Sequence, residues 1–148
     1  MAELDRSRVV AATPTQIWDV LADFGAIASW VDIDHSCILT HGPDGALVGT
    51  ARRVQIGRNT LVETVTECDP QYVLAYEIEG LPRMLGKISN RWTLEPTSGG
   101  ETIVTITSTV RKGRGRTQRL VERLACQALA RKSDTMLAAL AKRLENTP

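Results

Sequence analysis

The chain has 148 residues, and its 43% hydrophobic and 24% charged residues are the balance of an ordinary globular protein. Its 18 basic and 17 acidic residues nearly cancel, so composition gives no general attraction to nucleic acid, and we expect no nucleic-acid partner. No linker, internal repeat or low-complexity stretch divides the sequence, and we predict that residues 1–148 form a single domain.

The cysteines and histidines indicate neither a disulfide framework nor a metal site. Cys37, Cys68 and Cys126 are widely separated and form no C-x-x-C pair, so we interpret them as free thiols. His35 and His41 lack a spacing that would converge on a metal. A catalytic role for His35 stays open, but we favour a surface position. We predict no metal, no cofactor and no catalytic residue.

The sequence also bears on where the protein is located. Residues 1–6 are charged and lack the apolar core of a signal peptide. No apolar run approaches the ~20 residues that a membrane-spanning helix needs. We therefore predict a cytoplasmic protein that does not insert into membranes.

The first part of the chain predicts one strand followed by two short helices. Residues 5–11 contain β-branched residues and are typical of a strand. Thr13 and Pro14 form a helix start, with a capping hydroxyl before a proline at the first helical position. Apolar residues at helical spacing then predict a helix over residues 15–23, and a second short helix over residues 26–30 follows.

From residue 37 onward the hydrophobic period changes to two, which predicts strands. Sequences rich in Gly, Pro and Asp separate the candidate strands and are typical of turns. The candidates cover residues 37–40, 48–56, 61–67, 72–78, 88–94 and 102–110. Strands that follow one another without intervening helices favour an antiparallel meander.

The last segment predicts one long amphipathic helix over residues 117–145, roughly 40 Å in length at 1.5 Å per residue. It contains no Pro or Gly, and an apolar stripe runs along it. The predicted stripe consists of Val121, Leu124, Ala128, Met136, Leu140 and Leu144. The only large partner surface for this stripe is the sheet.

Two groups of residues carry a resemblance to a known family. The run PTQIWDVLADF at residues 14–24 is followed by Trp30. A second group is spread along the predicted strands and consists of Gly49, Arg52, Glu63, Glu67, Asp69, Tyr76 and the run Trp92-Thr-Leu94. From about residue 4 to about residue 144, the chain resembles the START-related helix-grip superfamily (SRPBCC), in its bacterial polyketide cyclase/dehydrase-like branch.

The resemblance implies an α+β helix-grip fold. In this fold a curved antiparallel sheet of six to seven strands wraps around a long C-terminal helix, and two short helices follow the first strand. It also implies a pocket between sheet and helix. The superfamily includes lipid and hormone binders as well as aromatase/cyclases, so both a binder and an enzyme are implied.

Strand parity places one pair of opposite charges side by side. Arg52 and Glu63 each share a strand face with apolar residues. If Gly57 and Arg58 form a two-residue turn with glycine first, as a type II′ turn requires, Arg52 faces Glu63 directly. The pair then either holds the polar end of a ligand or forms a structural ion pair on the solvated face. The branch often has Arg and Glu at these positions, and the resemblance therefore favours the pocket.

Aromatic residues complete the candidate site. We interpret Tyr76 and Trp30 as pocket residues, because a phenol or an indole can anchor a ligand of mixed polarity. For Trp92, as for Trp18, we favour core packing, although Trp92 stays a candidate for the concave face. The candidate ligand-binding residues are Arg52, Glu63, Tyr76, Trp30 and Trp92.

A basic segment, RKGRGRTQRLVER at residues 111–123, precedes and begins the long helix. Its arginines lie near a helix N-terminus, where the helix dipole disfavours cations, and this points to an anionic partner. Glycine-spaced arginines are also typical of a solvated loop, which is the interpretation we favour.

We therefore predict that the protein binds a small hydrophobic molecule, such as a lipid or a polyketide-like compound, for transport or sequestration. The first alternative is a polyketide cyclase/dehydratase enzyme. The second is an interaction module that uses the basic loop 111–123. The sequence leaves formation of a homodimer open.

Overall fold

The computed structural model describes residues 2–81, 87–111 and 116–145, and within these ranges seven strands form one antiparallel sheet. The strands are β1 Ala2–Val10, β2 His35–Thr40, β3 Ala51–Ile56, β4 Asn59–Asp69, β5 Val73–Glu79, β6 Lys87–Pro96 and β7 Thr102–Arg111. Their order in the sheet is β1-β7-β6-β5-β4-β3-β2. Consecutive strands from β2 to β7 are neighbours, and β1 closes the sheet against β7. The predicted antiparallel meander and helix-grip fold are confirmed.

The helices follow the predicted order. Helix α1 spans Pro14–Ala22, and the C-terminal helix α2 spans Arg116–Glu145. The Thr13 hydroxyl accepts a bond from the backbone N–H of Gln16 at 3.3 Å, and the Gln16 side chain accepts one from the backbone N–H of Thr13 at 2.9 Å. This reciprocal capping box fixes the start of α1. The second short helix is a 3₁₀ segment over Phe24–Ser29, so it begins earlier than the predicted residue 26.

The predicted start of β3 is wrong. The strand expected to begin at Val48 begins instead at Ala51, and Val48 is exposed. Gly49 has a φ of 90°, which lies far from the extended conformation of a strand. The segment before β3 therefore turns, and a short 3₁₀ segment over Pro43–Gly45 precedes this turn.

The concave face of the sheet holds the core. On β7, every second residue from Thr102 to Val110 is buried, and on β6 the same holds from Ile88 to Leu94. Successive side chains of a strand point to opposite faces, so these residues share the face that α2 covers. Helix α2 packs against β1 and β7, and the segment Phe24–Ser29 packs against β2 and β3.

The buried face of α2 differs from the predicted stripe. Leu124 is 58% exposed and Ala128 is also exposed, whereas Val121 lies outside the residues whose side chains the structure describes. Met136 and Leu140 are buried as predicted. The buried helix residues are Ala125, Ala130, Ser133, Met136, Leu137, Leu140 and Ala141. The first half of the described helix face thus carries small residues, and space remains between it and the sheet.

Candidate functional site

Arg52 and Glu63 form a buried ion pair on the concave face. They are direct cross-strand neighbours on β3 and β4, and the two residues are 3% and 7% exposed. Arg52 Nε donates to Glu63 Oε1 at 2.8 Å, and Arg52 Nη2 lies 2.7 Å from the same oxygen. The turn between the strands is Gly57-Arg58, and of the two only Gly57, at 60°, has a positive φ. The observed pairing confirms the predicted register, and the positive φ at the first turn position fits the predicted type II′ turn.

The segment Phe24–Ser29 supplies the remaining partners of Arg52. Arg52 Nη1 donates to the backbone carbonyl of Phe24 at 2.9 Å, and the guanidinium carbon lies 3.8 Å from the centre of the Phe24 ring. The same carbon lies 4.9 Å from the centre of the Tyr76 ring. Desolvated cations are stabilised by aromatic faces and by such bonds. Arg52 is therefore held in one position by three elements of the fold.

Glu63 uses only one of its two carboxylate oxygens in these contacts. Arg52 Nε and Nη2 both approach Oε1. Oε2 has no hydrogen-bond partner among the described residues. The Glu63 side chain is nevertheless only 9% exposed. A buried carboxylate oxygen is stabilised by a hydrogen-bond donor, because burial removes much of its contact with bulk water. The site thus contains an acceptor to which no described residue donates.

Tyr76 lies next to this pair and is oriented by a chain of hydrogen bonds. The Ser108 hydroxyl donates to Asn90 Oδ1 at 2.7 Å, and Asn90 Nδ2 donates to the Tyr76 hydroxyl at 3.4 Å. Trp92 Nε1 donates to the same hydroxyl at 3.3 Å. The phenol oxygen accepts from two donors, so its own proton remains for donation. No described residue accepts it.

The surroundings of Tyr76 keep the phenol protonated. Complete burial is the main cause that raises the pKa of Tyr76, and the nearby negative charge of Glu63 raises it further. Arg52 and the bonds from Trp92 and Asn90 act in the opposite direction without cancelling this effect. A phenolate would lose its hydration in this interior and would face a carboxylate. Tyr76 is therefore a hydrogen-bond donor at neutral pH.

A cavity of about 320 Å³ lies between the sheet, the Phe24–Ser29 segment and α2. Most of its wall is aliphatic, from Ile27, Val31, Ile33, Val54, Ile56, Leu61, Ile78, Leu81, Ile88, Ala125, Ala128, Leu129 and Met136. Four polar residues also line it: Glu63, Tyr76, Asn90 and Lys132. Two of the lining residues on α2 are accessible from outside, since Ala128 is exposed and Lys132 is half-buried. The volume of the cavity is at the lower end of the range of small-molecule sites.

A wider depression of about 520 Å³ lies on the outer face of the sheet. Its wall is mainly charged groups and hydroxyls, and the ion pair of Arg91 with Glu67 at 2.9 Å belongs to it. The bond from Arg91 lowers the pKa of Glu67. Both side chains are about half exposed, so water satisfies this surface without a ligand. The interior cavity is therefore the candidate site.

Residues 1–145 match the family described as polyketide cyclase/dehydrase and lipid transport. The chain belongs to this family. No curated protein sequence gives a significant match. The resemblance inferred from the sequence is confirmed, and the match covers nearly the whole chain.

Solved structures with this fold include members of several groups. An aromatase/cyclase from Streptomyces has a TM-score of 0.78 and 21% identity, over 97% of this chain and 93% of that one. A START superfamily protein from Mycobacterium smegmatis has a TM-score of 0.72 and 19% identity, over 97% of both chains. The Aha1 dimer from Colwellia psychrerythraea has a TM-score of 0.72 and 16% identity, over 99% and 98%. At identities this low, the structural similarity shows that this polyketide cyclase/dehydrase family member shares the fold of these proteins.

The structure distributes the five candidate residues of this family member over two places. Glu63 and Tyr76 line the cavity. Arg52, Trp30 and Trp92 are not part of the cavity wall. Together with Tyr76 they border a second void of only about 10 Å³. Trp92 is fully buried, and the centres of the Trp30 and Trp92 rings lie 6.2 Å apart in an edge-to-face contact. Trp30 therefore packs on the core rather than at the cavity mouth, and ligand contact by these three residues stays a prediction.

Sequence reasoning missed two polar residues of the cavity. Asn90 lies two positions before Trp92 on β6, so strand parity already placed it on the concave face. Lys132 lies four positions after Ala128 and four before Met136, between two members of the predicted apolar stripe. The periodicity of each element would have identified both residues. Neither residue has an opposite charge predicted beside it, which is the feature that distinguished Arg52 and Glu63.

Other sequence predictions concern metals, membranes and the basic segment. Among residues 2–81, 87–111 and 116–145, no cluster of His, Cys, Asp or Glu is arranged to hold a metal ion. No helix in these ranges is long and apolar enough to cross a membrane. Within the basic segment, Arg111 and Arg123 are exposed, whereas residues 112–115 and the side chains of residues 116–122 lie outside the description. Partner binding by this segment stays a prediction.

Proposed function

We propose that this protein binds a small, mainly apolar molecule in the cavity between its sheet and α2. The observation that carries the proposal is an internal space of about 320 Å³ with an almost entirely aliphatic wall. Well-packed interiors contain few voids larger than a water molecule, and an apolar void loses contacts that a ligand would supply. An apolar ligand that fills this space would restore those contacts and remove its own surface from water.

Ligand binding can be tested through thermal stability and extraction. A ligand that binds only the folded state at 100 times its Kd stabilises that state by about 2.7 kcal/mol. We expect compounds from a panel of fatty alcohols, alkylphenols and polycyclic molecules to raise the melting temperature. Native mass spectrometry of the purified protein, followed by solvent extraction, would show whether a ligand remains bound after purification.

A matched pair of helix variants shows where binding occurs. Ala128 lies on the cavity wall and is exposed, so Ala128→Phe should narrow the cavity without disturbing the core. Ala138 is also exposed on α2 and does not line the cavity, so Ala138→Phe makes the same change elsewhere. We expect Ala128→Phe to raise the Kd of the ligand at least tenfold. Ala138→Phe should leave this Kd unchanged. Equal effects of both variants, or no shift with any compound, would exclude the cavity as the binding site.

A cyclase or dehydratase activity is the second candidate. Glu63 and Tyr76 are diagonal neighbours on β4 and β5, so a carboxylate and a phenol border one apolar cavity. Such a pair suits removal of a proton next to a ketone, with the phenol donating to the resulting enolate. Arg52 occupies Oε1 of this carboxylate with two contacts, which leaves it only partly available to a substrate, and for this reason we rank binding first. Conversion of an added poly-β-ketone chain would support the enzyme, and its recovery unchanged would support the binder.

A further inference from the structure

The polar atoms of the cavity are not distributed evenly along its wall. Glu63 and Tyr76, on adjacent strands, are almost completely buried, whereas Lys132 on α2 is only half-buried. The cavity therefore has a polar end inside the protein. Which chemical group this end recognises is a further question, and its answer rests on the proposed function, the binding of a ligand in this cavity.

The chemistry of this end follows from the contacts already made. Glu63 Oε1 is fully used by Arg52, so Oε2 is the atom that needs a donor. The Tyr76 oxygen accepts from Asn90 and Trp92, and its proton therefore needs an acceptor. A hydroxyl group can satisfy both atoms, since it donates one proton and accepts through its lone pairs. A carboxylate cannot donate, and it would bring a second negative charge close to Glu63.

We propose that the inner end of the cavity selects ligands with an alcohol or phenol hydroxyl, which donates to Glu63 Oε2 and accepts from Tyr76. Ligands that present a carboxylate or only an ether at this end are disfavoured. Bonds to an ionised group are stronger than neutral ones, and loss of such a partner leaves the buried oxygen unpaired. The hydrogen-bond donor group of the ligand therefore determines selection more than its apolar body does.

Three probes with the same hexylphenyl body test this selection in the unaltered protein. They are para-hexylphenol, para-hexylanisole and para-hexylbenzoate, which differ only in the polar group. We expect the phenol to bind about tenfold more tightly than the anisole, and the benzoate to bind most weakly. Isothermal titration calorimetry at neutral pH measures the three Kd values. The phenol is protonated there because the pKa of an ordinary phenol is about 10.

Replacement of the carboxylate by an amide should abolish the preference for the phenol. In Glu63→Gln the carbonyl oxygen keeps its place beside Arg52, so the amide NH₂ takes the position of Oε2 and presents a donor. We expect the preference of the phenol over the anisole to disappear, and binding of the benzoate to improve. Glu77→Gln is the matched control, because Glu77 is exposed on the outer face of the neighbouring strand. Its Kd values should equal those of the unaltered protein.

The outcomes separate this inference from the proposed function. If none of the probes binds, the cavity is not the site and the proposed function fails with it. If all three bind with equal Kd, the cavity binds ligands but its polar end selects nothing, and only this inference is overturned. Tightest binding of the benzoate would also overturn it, because Lys132 would then control recognition. The comparison of the three probes remains decisive even if Glu63→Gln does not fold.

Discussion

At the scale of single residues, Arg52 and Glu63 introduce two charges into an interior that is otherwise mostly aliphatic. Removing charges from water is costly, and their attraction offsets this cost only where both partners are present. Arg52 has Glu63 Oε1, the Phe24 carbonyl and two aromatic rings, whereas Glu63 has Arg52 alone. The carboxylate is therefore the member that loses more when its partner is removed.

This asymmetry predicts a strong coupling in a double-mutant cycle. Arg52→Met leaves a buried carboxylate without a counter-ion, and we expect it to lower the free energy of unfolding by about 3–5 kcal/mol. The double variant Arg52→Met/Glu63→Leu contains no stranded charge and should lose clearly less than the sum of the two single variants. Urea denaturation of the four proteins measures the coupling. Additive losses would show that the two residues do not act as a pair.

The sequence was sufficient to predict this pair but not its surroundings. A period of two and a glycine-first turn determine both the face and the register, and both are local features. The contact of Arg52 with Phe24 joins residues 28 positions apart in the chain. Neither periodicity nor spacing encodes such a contact, because it depends on how the 3₁₀ segment packs over β3. The unpaired Oε2 is likewise a result of side-chain geometry.

At the scale of elements, two glycines with positive φ join the strands around the site, and they differ in what surrounds them. Gly57 has a φ of 60° and open space where a Cβ would be. Gly80 follows β5 with a φ of 101°, and a Cβ there would collide with the backbone carbonyl of Thr60 on β4. The backbone of Gly80 approaches β4 too closely for a side chain.

We therefore expect the same substitution to have unequal costs at these two positions. Gly57→Ala should lower the free energy of unfolding by about 1–2 kcal/mol, since only backbone strain opposes it. Gly80→Ala should cost more, because the strain is accompanied by a clash that requires β4 or β5 to shift. Urea denaturation of the two variants compares the losses. A smaller loss for Gly80→Ala would contradict the close approach of the two chains.

Element boundaries and helix faces were predicted less well than element order. The order follows from strong signals such as the Thr13 cap and the change of period, and these signals are local. The position of α2 on the sheet, in contrast, depends on contacts between residues far apart in the chain. Leu124 belongs to an apolar stripe by spacing, yet it is exposed, whereas the adjacent Ala125 is buried. The sequence thus predicted the helix and missed the gap beneath it.

At the scale of the whole molecule, the cavity exists because α2 presents small side chains toward part of the sheet. Leu137 and Leu140 of α2 are buried in the core and do not line the cavity, whereas Ala125 and Ala128 line it with short side chains that leave space above β3, β4 and β5. Small residues on a facing helix allow either close approach or a void, and sequence alone does not distinguish the two. The same geometry buries Tyr76 completely, and the stability of the fold then depends on the protonation of Tyr76.

The last prediction concerns this dependence. Because burial raises the pKa of Tyr76, the folded protein keeps a proton that the unfolded chain releases above pH about 10. The contribution of Tyr76 to stability is therefore complete below pH about 10. It falls by up to about 1.4 kcal/mol per pH unit above that value, until the folded phenol also ionises. Urea denaturation at several alkaline pH values should show a shallower decline for Tyr76→Phe than for the unaltered protein. Tyr72 is 54% exposed, so Tyr72→Phe should keep the full decline, and equal slopes in the two variants would refute the assignment to Tyr76.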